Sequence, residues 1–143
     1  MNTLEPTDLD APKYRIGQAA QLLGVSPDTV RRWADSGKLK VTRVSGGSRY
    51  VNGTDLARLA VELADEEGRE RTRGQSARNS FLGIVTRVTK DGVAALVEVQ
   101  SGPHRFVALI TREAVDEMGL QPGMMAKAVV KATNVGIELA ERL

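Results

Sequence analysis

The chain has 143 residues, no cysteine, and 20 Lys and Arg against 18 Asp and Glu, so its net charge is only +2. The lack of cysteine excludes disulfides, thiolate metal sites and a cysteine nucleophile, and the single histidine, His104, excludes metal sites built on histidine pairs. No apolar run approaches the roughly 20 residues that span a bilayer, and the N-terminus is acidic rather than signal-like. We therefore expect a cytoplasmic protein without membrane contact.

The charge is unevenly distributed along the chain. Residues 1–10 carry a net −3, and residues 11–60 carry +6 from nine bases and three acids. Residues 61–74 carry −2 and residues 75–143 carry +1. A basic module thus precedes a nearly neutral one, although a charged surface that is simply solvated would have the same composition.

The spacing of apolar residues changes between the two modules. It is mostly helical up to about residue 72 and strand-like from Phe81 onward, with a polar stretch between. We predict an α+β chain of two domains, over 12–68 and 76–143, joined by a linker over 69–75.

Two short helices joined by a tight turn are predicted in the basic module. The first has apolar residues along one face between Ile16 and Leu23 and ends at Gly24. The second begins after Ser26, a favourable N-cap followed by proline, and ends at Gly37. This arrangement is a helix-turn-helix.

The polar side chains of the second helix are chemically suited to DNA. Val30 and Trp33 share its apolar face and are assigned to the core, so Thr29, Arg31 and Arg32 project elsewhere. Arginine and threonine are apt partners for phosphates and for the acceptor-rich base edges of a major groove. Two helix arginines can also be merely solvated, but the flanking helix-turn-helix favours DNA contact.

A β-hairpin is predicted after the second helix, within residues 40–51. A glycine pair supplies its turn, and Arg43 and Arg49 flank that turn. The hairpin is therefore a basic wing that can reach the DNA backbone or the minor groove. Either Asn52 or Thr54 then caps a third helix.

Segments 14–20, 25–33 and 37–39, with the Gly-Gly…Arg-Tyr wing, resemble the MerR/excisionase winged-helix domains, most closely the short BldC-type members. The resemblance covers about residues 13–62 and implies binding to double-stranded DNA in transcription regulators and recombination accessory factors. Residues 54–72 are too short for the family's usual dimerisation helix. The DNA-binding candidates are Ser26, Thr29, Arg31, Arg32, Lys38, Arg43, Arg49 and Tyr50.

The C-terminal module alternates strands and glycine-containing turns. Its one predicted helix, over 112–118, is capped by Thr111 and ended by Gly119. Five strands with one helix predict a five-stranded β-barrel of the OB type. With Phe81 and Phe106 as its only aromatics, the barrel is not expected to bind nucleic acid. The predicted strands lie at about 81–89, 93–100, 104–110, 124–131 and 135–139.

A set of hydrogen-bond donors without a neighbouring acid flanks these strands. Ser76 and Arg78 precede the first strand, and Lys131 and Thr133 follow the fourth. Hydroxyl, guanidinium and ammonium groups together suit a small oxyanion. Exposed polar residues more often form an ordinary surface, and these residue types alone favour that plainer interpretation. The single histidine, His104, is interpreted as an ordinary surface residue.

The succession of motifs is similar to the molybdate-binding Mop (molbindin, TOBE) domain. Its blocks match residues 76–83, 110–115, 119–123 and 130–135, and the resemblance covers residues 75–141. It implies molybdate or tungstate as a ligand at subunit interfaces, and a homo-oligomer, either a dimer or a hexamer, formed through the barrel. The molybdate-binding candidates are Ser76, Ala77, Arg78, Asn79, Thr111, Lys131, Ala132 through its amide, and Thr133, while Ala114 stands where relatives often have serine.

The two resemblances together imply a molybdate-responsive, DNA-binding transcription regulator. One alternative is intracellular storage or buffering of molybdate or tungstate, with a DNA-associated head. Another is an architectural or recombination accessory factor whose barrel no longer binds an anion. An enzyme is not expected, because the sequence offers no recognisable catalytic triad, carboxylate pair or phosphate-binding loop.

Overall fold

A computed structural model describes residues 11–66 and 74–141, which form two compact units. The N-terminal unit is called the head below, and the C-terminal unit is called the sheet domain. The predicted linker over 69–75 lies mostly outside the described residues. The domain limits 12–68 and 76–143 remain predictions.

The head combines three helices with a small sheet. Strands β1 and β2 both pair antiparallel with β3, which lies between them. The helices and the wing hairpin agree with the sequence prediction. Strand β1 was not predicted, because three residues are too few to establish an alternating pattern. The elements are β1 (Lys13–Arg15), α1 (Ile16–Leu23), α2 (Pro27–Ser36), β2 (Val41–Arg43), β3 (Arg49–Asn52) and α3 (Gly53–Glu66).

Local capping interactions determine where these helices begin and end. Ser26 Oγ accepts a hydrogen bond from the Thr29 amide at 3.2 Å, and Gly37 ends α2 with a φ of 81°. Asn52 Oδ1 accepts a hydrogen bond from the Thr54 amide at 2.8 Å. Asn52 is therefore the cap of α3, and Thr54, the other candidate, lies inside the helix.

The head has a single aliphatic core that draws on each helix and on β3. Trp33 packs against it while remaining half-buried, in agreement with its predicted assignment to the core. The burial of so many branched side chains is the main source of stability in a unit of this size. The buried residues are Ala19, Ala20, Val30, Leu39, Val51, Leu56 and Leu59.

One carboxylate is buried beside this core. Asp55, which is 8% exposed, accepts a hydrogen bond from the Lys40 amide at 2.8 Å. The Arg58 guanidinium donates two more, at 2.7 and 3.1 Å. Burial opposes the ionisation of Asp55, but these hydrogen bonds and the Arg58 charge outweigh it and hold the pKa of the carboxyl below its ordinary value. Asp55 thereby ties the start of α3 to the chain that leads into the wing.

Replacing Asp55 by asparagine is expected to lower the free energy of unfolding of the head by about 1–3 kcal/mol at neutral pH. The lowered pKa means that the native-state advantage of Asp55 exists above its ordinary value of 3.8 and is lost as the pH falls through the folded-state value. The acid sensitivity of the wild type below about pH 4 should therefore be reduced in Asp55→Asn. Urea unfolding followed by Trp33 fluorescence at several pH values measures both effects.

Glu62→Gln is the matched control for this substitution. Glu62 also accepts a hydrogen bond from Arg58, at 2.6 Å, but its side chain is half exposed. Its loss should change stability by no more than about 0.5 kcal/mol. Equal effects of the two substitutions at neutral pH would contradict the role assigned to the buried carboxylate.

The sheet domain is one antiparallel sheet with a short helix. The strand order is β6-β5-β4-β7, so β6 and β7 form the two edges. Thr111 caps the helix by accepting a hydrogen bond from the Ala114 amide at 3.1 Å, and Gly119 ends it, as predicted. The elements are β4 (Asn79–Lys90), β5 (Ala94–Ser101), β6 (His104–Thr111), α4 (Arg112–Met118) and β7 (Met125–Val130), with a 3₁₀ turn over Ala132–Asn134.

The predicted fifth strand, over 135–139, does not form, so the prediction of a five-stranded barrel within one chain is wrong. Four strands make a curled half-barrel, and the C-terminal segment runs past it without pairing among the described residues. Ile137 and Leu139 are 90% and 99% exposed. Val135, Ile137 and Leu139 alternate as a strand would, but a strand also needs a neighbouring edge for its backbone hydrogen bonds.

The central strand β4 curls the sheet because it changes partners along its length. Its first half pairs with β7 and its second half with β5, with an irregularity in the register between Val85 and Arg87. Between the edge strands β6 and β7 lies a mainly apolar groove of about 610 Å³, lined by residues of both. The half-barrel is therefore open along one side.

Candidate functional sites

The first turn of α2 carries a connected set of polar side chains. The hydroxyls of Ser26 and Thr29 lie 2.9 Å apart, and Arg32 Nη2 donates to Thr29 Oγ1 at 3.3 Å. Arg31 Nη1 lies 2.6 Å from Asp28 Oδ1 in an exposed ion pair. Both guanidinium groups are solvent-accessible. This end of the helix therefore presents two cations beside hydroxyl groups, as contact with phosphates and base edges requires.

The wing carries the next two predicted residues. Arg43 and Arg49 oppose each other in the register of β2 and β3, at the last pair before the turn. Gly46 and Gly47 form that turn with φ values of 102° and 85°, which a side chain would strain. Arg49 is bound by Asp35 of α2, with Nη1 and Oδ1 2.9 Å apart. Arg43 is exposed and makes no ion pair within residues 11–66 and 74–141.

The two remaining DNA-binding candidates have structural contacts of their own. Lys38 Nζ lies 5.2 Å from the centre of the Trp33 ring, within cation–π range. Tyr50 is half-buried in β3, opposite Thr42 on one side and Arg15 on the other. All eight candidates thus lie on the head, in α2, the turn that follows it and the wing. Their contact with DNA remains a prediction.

Sequence reasoning missed the two acids that pair with the candidate arginines. The three-residue spacing between Asp28 and Arg31 within one helix is a signal that could have revealed the first pair. Asp35 and Arg49 are fourteen residues apart and belong to different elements. Only the tertiary structure brings them together.

In the sheet domain, the pairing of β4 with β7 brings two predicted blocks together. Asn79 and Val130 are opposite each other, and Asn79 Nδ2 donates to the Val130 carbonyl oxygen at 3.2 Å. The block 76–79, which leads into β4, therefore lies beside the block 131–133, which leaves β7. Seven of the eight molybdate-binding candidates belong to these two blocks.

These two blocks present exposed donors and positive charge. Arg78 and Lys131 are exposed, and neither makes an ion pair within the described part of the chain. Arg78 Nη1 donates to the Gln75 carbonyl oxygen at 2.6 Å, which holds the guanidinium beside its own loop. The hydroxyls of Ser76 and Thr133 are also exposed. Two cations and two hydroxyls without a neutralising carboxylate can bind a small oxyanion.

The two alanines among the candidates anchor the blocks. Ala77 is buried between the exposed residues Ser76 and Arg78. Ala132 begins the 3₁₀ turn, and its carbonyl oxygen accepts a hydrogen bond from the Val135 amide at 3.3 Å. Each alanine can offer a ligand only its backbone groups.

Thr111 is not brought to these blocks within one chain. It pairs with Ala94, at the end of the sheet away from the start of β4, and its Oγ1 is engaged in capping α4. A shallow hollow beside it is also lined by Glu113, Asp116 and Glu117. Arg112 also lines the hollow, with its Nε 3.5 Å from Asp116 Oδ2, so three carboxylates surround one cation beside Thr111.

An ion pair and backbone hydrogen bonds lower the pKa values of two carboxyl groups, Asp116 and Asp91, at this end of the sheet. Lys90 Nζ lies 3.0 Å from Asp116 Oδ1, and this hydrogen bond lowers the pKa of Asp116 from its ordinary value. Asp91 Oδ1 accepts hydrogen bonds from the amides of Ala94 and Val93, at 2.7 and 2.8 Å, and they lower its pKa too. The end of the sheet that holds Thr111 is thus electrostatically unlike the donor blocks.

Residues 11–66 and 74–141 contain neither a metal-binding cluster nor a membrane-spanning helix. No group of three or more histidine, aspartate or glutamate side chains could hold a metal ion there. No helix in those ranges is long and apolar enough to cross a membrane.

The fold and these sites define a chain in which a winged helix-turn-helix head accompanies a small β-domain with a basic donor cluster. Comparison with known families gives the same division. A model described as a helix-turn-helix domain matches residues 14–60, and a model described as a TOBE domain matches residues 75–137. Neither family is a catalytic one.

Four curated relatives carry the word molybdenum in their names. The chain is 42% identical over 65 residues to the molybdenum-pterin-binding protein MopA of Rhodobacter capsulatus, covering 45% of this chain and 24% of MopA. It is 37% identical over 67 residues to the molybdenum transport protein ModE of Herbaspirillum seropedicae, covering 46% and 25%. It therefore spans about a quarter of the length of these two relatives.

Molybdenum-pterin-binding protein 2 of Clostridium pasteurianum is matched almost throughout. The identity is 36% over 63 residues, covering 43% of this chain and 93% of that protein. A solved molybdate binding protein from Sporomusa ovata aligns with 46% of this chain and 97% of its own length, at 31% identity and a TM-score of 0.44. The chain belongs to the TOBE/Mop family and carries an N-terminal helix-turn-helix domain in addition. Both sequence resemblances are thereby confirmed at the level of the domain.

Proposed function

We propose that this protein is a DNA-binding transcription regulator that responds to molybdate. The observation that carries the proposal is the presence of a helix-turn-helix domain and a TOBE domain in one chain of 143 residues. Relatives of the second domain are named for molybdenum transport and molybdenum-pterin binding. A DNA-binding head attached to such a domain can link the binding of molybdate to the control of transcription. We expect the protein to act in the cytoplasm.

The ligand in this proposal is the molybdate or tungstate oxyanion. Arg78 and Lys131 would supply the positive charge, and Ser76 and Thr133 would supply hydroxyl donors. The amides of the same two blocks, together with Asn79, complete the candidate set. Charge-assisted hydrogen bonds of this kind recognise the oxyanion as a whole, so no bond between a side chain and the metal is needed. Neither Arg78 nor Lys131 is neutralised by an ion pair within residues 11–66 and 74–141, which supports this assignment.

We further propose that the protein is a homo-oligomer, a dimer or a hexamer, formed through the sheet domain. The open groove between β6 and β7 and the exposed apolar segment 135–139 both support association with another copy. An unpaired strand edge with apolar surroundings is a ready template for pairing with another chain. Association would also explain how Thr111, distant from the donor blocks in one chain, could join an anion site.

The proposed coupling between the two domains is geometric. Two heads on one oligomer reach two half-sites on DNA only at a defined separation. An anion bound between subunits stabilises one subunit arrangement and thereby changes the separation of the heads. Thermodynamic reciprocity then requires that DNA and molybdate alter each other's affinity by the same factor.

A gel shift on the promoter region of the protein's own gene tests the proposal. Titrations without anion, with molybdate and with sulfate at equal concentration should give an affinity change of about fivefold or more for molybdate alone. Sulfate is the control for ionic strength and general oxyanion binding. The regulator proposal is wrong if molybdate binds the protein and leaves both DNA affinity and oligomeric state unchanged.

Storage or buffering of molybdate or tungstate, with the head associated with DNA, is the second candidate function. It is favoured by the match to molybdenum-pterin-binding protein 2 over 93% of that protein's length, since nothing like the head is needed there. Storage requires several anions per oligomer and no defined operator. Counting bound molybdate per subunit by equilibrium dialysis, alongside the gel shift, separates the two functions.

A further inference from the structure

The two arginines of the wing stand in different environments although they oppose each other across the hairpin. The side chain of Arg49 is only 23% exposed and is paired with Asp35, whose own side chain is 70% exposed. Arg43 is exposed and has no ion-pair partner among the described residues. The sequence predicts Arg43 and Arg49 as equivalent phosphate contacts. In the part of the chain that the structure describes, only Arg49 of the two is paired with an acid, so they are not equivalent.

The Asp35–Arg49 ion pair connects the end of α2 to the wing. Asp35 lies in the last turn of α2, and Arg49 is at the final paired position of the wing before its turn. Beyond that position two hydrogen bonds within the wing hold it among the described residues, from the Val44 amide to Ser48 O and from the Gly47 amide to Val44 O, each 3.0 Å long. The ion pair therefore holds the base of the wing turn against α2.

Charge balance favours the same interpretation. An aspartate on a DNA-binding face repels phosphates and lowers affinity unless it has another purpose. When Asp35 neutralises Arg49, the pair contributes no net charge to phosphate binding. Arg43 then remains as the cation that the wing can offer to the DNA backbone.

We propose that Asp35 is a positioning residue for DNA binding, which acts by holding Arg49 and so fixing the wing relative to α2. Arg49 acts through this contact, whereas Arg43 contacts phosphate directly. The inference rests on the proposed DNA-binding function of the head. It predicts that loss of either partner weakens DNA binding, whereas simple electrostatics predicts tighter binding on loss of Asp35 and weaker binding on loss of Arg49.

Asp35→Asn is the decisive variant, because it removes a negative charge from the DNA-binding unit. If Asp35 were only a repulsive charge, the variant would bind DNA more tightly. We expect it to bind a random-sequence DNA duplex about threefold to fivefold more weakly, because the wing is no longer held. Unchanged thermal unfolding in the full-length variant verifies that the head is intact.

The salt dependence of binding distinguishes the two arginines. Arg43→Gln should reduce the slope of the logarithm of affinity against the logarithm of salt concentration by about 0.9, the loss of one phosphate contact. Asp35→Asn combined with Arg49→Gln removes both partners without changing the net charge, and it should weaken binding while leaving that slope unchanged. Arg49→Gln combined with Asp35→Asn should be no weaker than Arg49→Gln alone, since both changes break one contact. A slope reduced by the charge-neutral double variant as much as by Arg43→Gln overturns the proposal.

Hydrogen exchange in the absence of DNA gives an independent readout. The amides of Val44 and Gly47 should exchange faster in Asp35→Asn than in the wild type, while those of α1 remain unchanged. Equal exchange in the wing overturns the proposal even if DNA binding is affected. If the wild type binds no duplex at any salt concentration, the proposed function fails, and the exchange experiment still decides whether the ion pair holds the wing.

Discussion

Replacing Arg78 with alanine is expected to abolish molybdate binding and to leave the DNA affinity of the anion-free protein unchanged. Arg78 supplies a planar set of donors and a permanent charge at the junction of the two donor blocks. Loss of one partner of a charge-assisted contact typically costs about 2–5 kcal/mol, so affinity should fall by about thirtyfold or more. Isothermal titration calorimetry with molybdate measures the loss directly.

Two further substitutions make the Arg78 result specific. Arg87→Ala removes the same charge from an exposed position in the second half of β4 and should leave molybdate binding within about twofold of the wild type. Arg78→Lys keeps the positive charge but lacks the planar set of guanidinium N–H donors, so it should give an intermediate affinity. Loss of binding in Arg87→Ala as well would mean that total charge, rather than this site, governs the affinity.

Arg32→Ala is expected to have the reciprocal effect. Its guanidinium lies on the exposed N-terminal half of α2, hydrogen-bonded to Thr29, so its loss should weaken DNA binding and spare the anion. A tenfold reduction in DNA affinity is about the size expected for one good arginine contact. If Arg32→Ala or Arg78→Ala removed both activities, either misfolding or a wrong assignment of the site would be indicated.

The parts of this molecule that sequence predicted well are those with local signals. Ser26 followed by proline fixes the start of α2, and Gly37 fixes its end, because capping depends on residues within one turn. The hairpin of the wing is likewise specified by its own glycine pair. The two donor blocks were identified as motifs, and the pairing of β4 with β7 then placed them side by side.

Features that depend on distant partners were out of reach of the sequence. The ion pair between Asp35 and Arg49 requires α2 and the wing to be folded together. The segment 135–139 has a strand's alternation, but its hydrogen-bonding partner is absent from the single chain described here, so the predicted barrel is open. The location of Thr111 follows from the register of β5 with β6, which periodicity cannot supply.

Replacing Gly83 is expected to have a second large effect, on the stability of the sheet domain. The backbone of β5 approaches Gly83 so closely that it leaves no room for a side chain. Gly83 lies in the first half of β4, just before the pairing with β5 begins at Ile84 and Gln100. A methyl group at position 83 would lie 2.3 Å from the Gln100 carbonyl oxygen and 2.8 Å from its carbonyl carbon. Both atoms belong to the backbone of β5, so relief requires the two strands to separate.

Gly83→Ala is therefore expected to destabilise the sheet domain by about 3 kcal/mol or more, at the upper end of overpacking effects. A small domain has only about 5–15 kcal/mol in total, so a large part of its stability is at risk. Circular dichroism should detect unfolding of the sheet at lower urea concentration, and molybdate binding should weaken with it. Trp33 fluorescence should report an intact head, since the only tryptophan of the chain lies there.

Gly92→Ala is the matched control for the backbone approach at Gly83. A methyl group at Gly92 would meet no atom within 4 Å, and the backbone there is not left-handed, so we expect a change of less than about 1 kcal/mol. The comparison separates steric exclusion from the general entropic effect of replacing glycine. If Gly83→Ala and Gly92→Ala unfold at the same urea concentration, β4 and β5 are further apart at Gly83 than described.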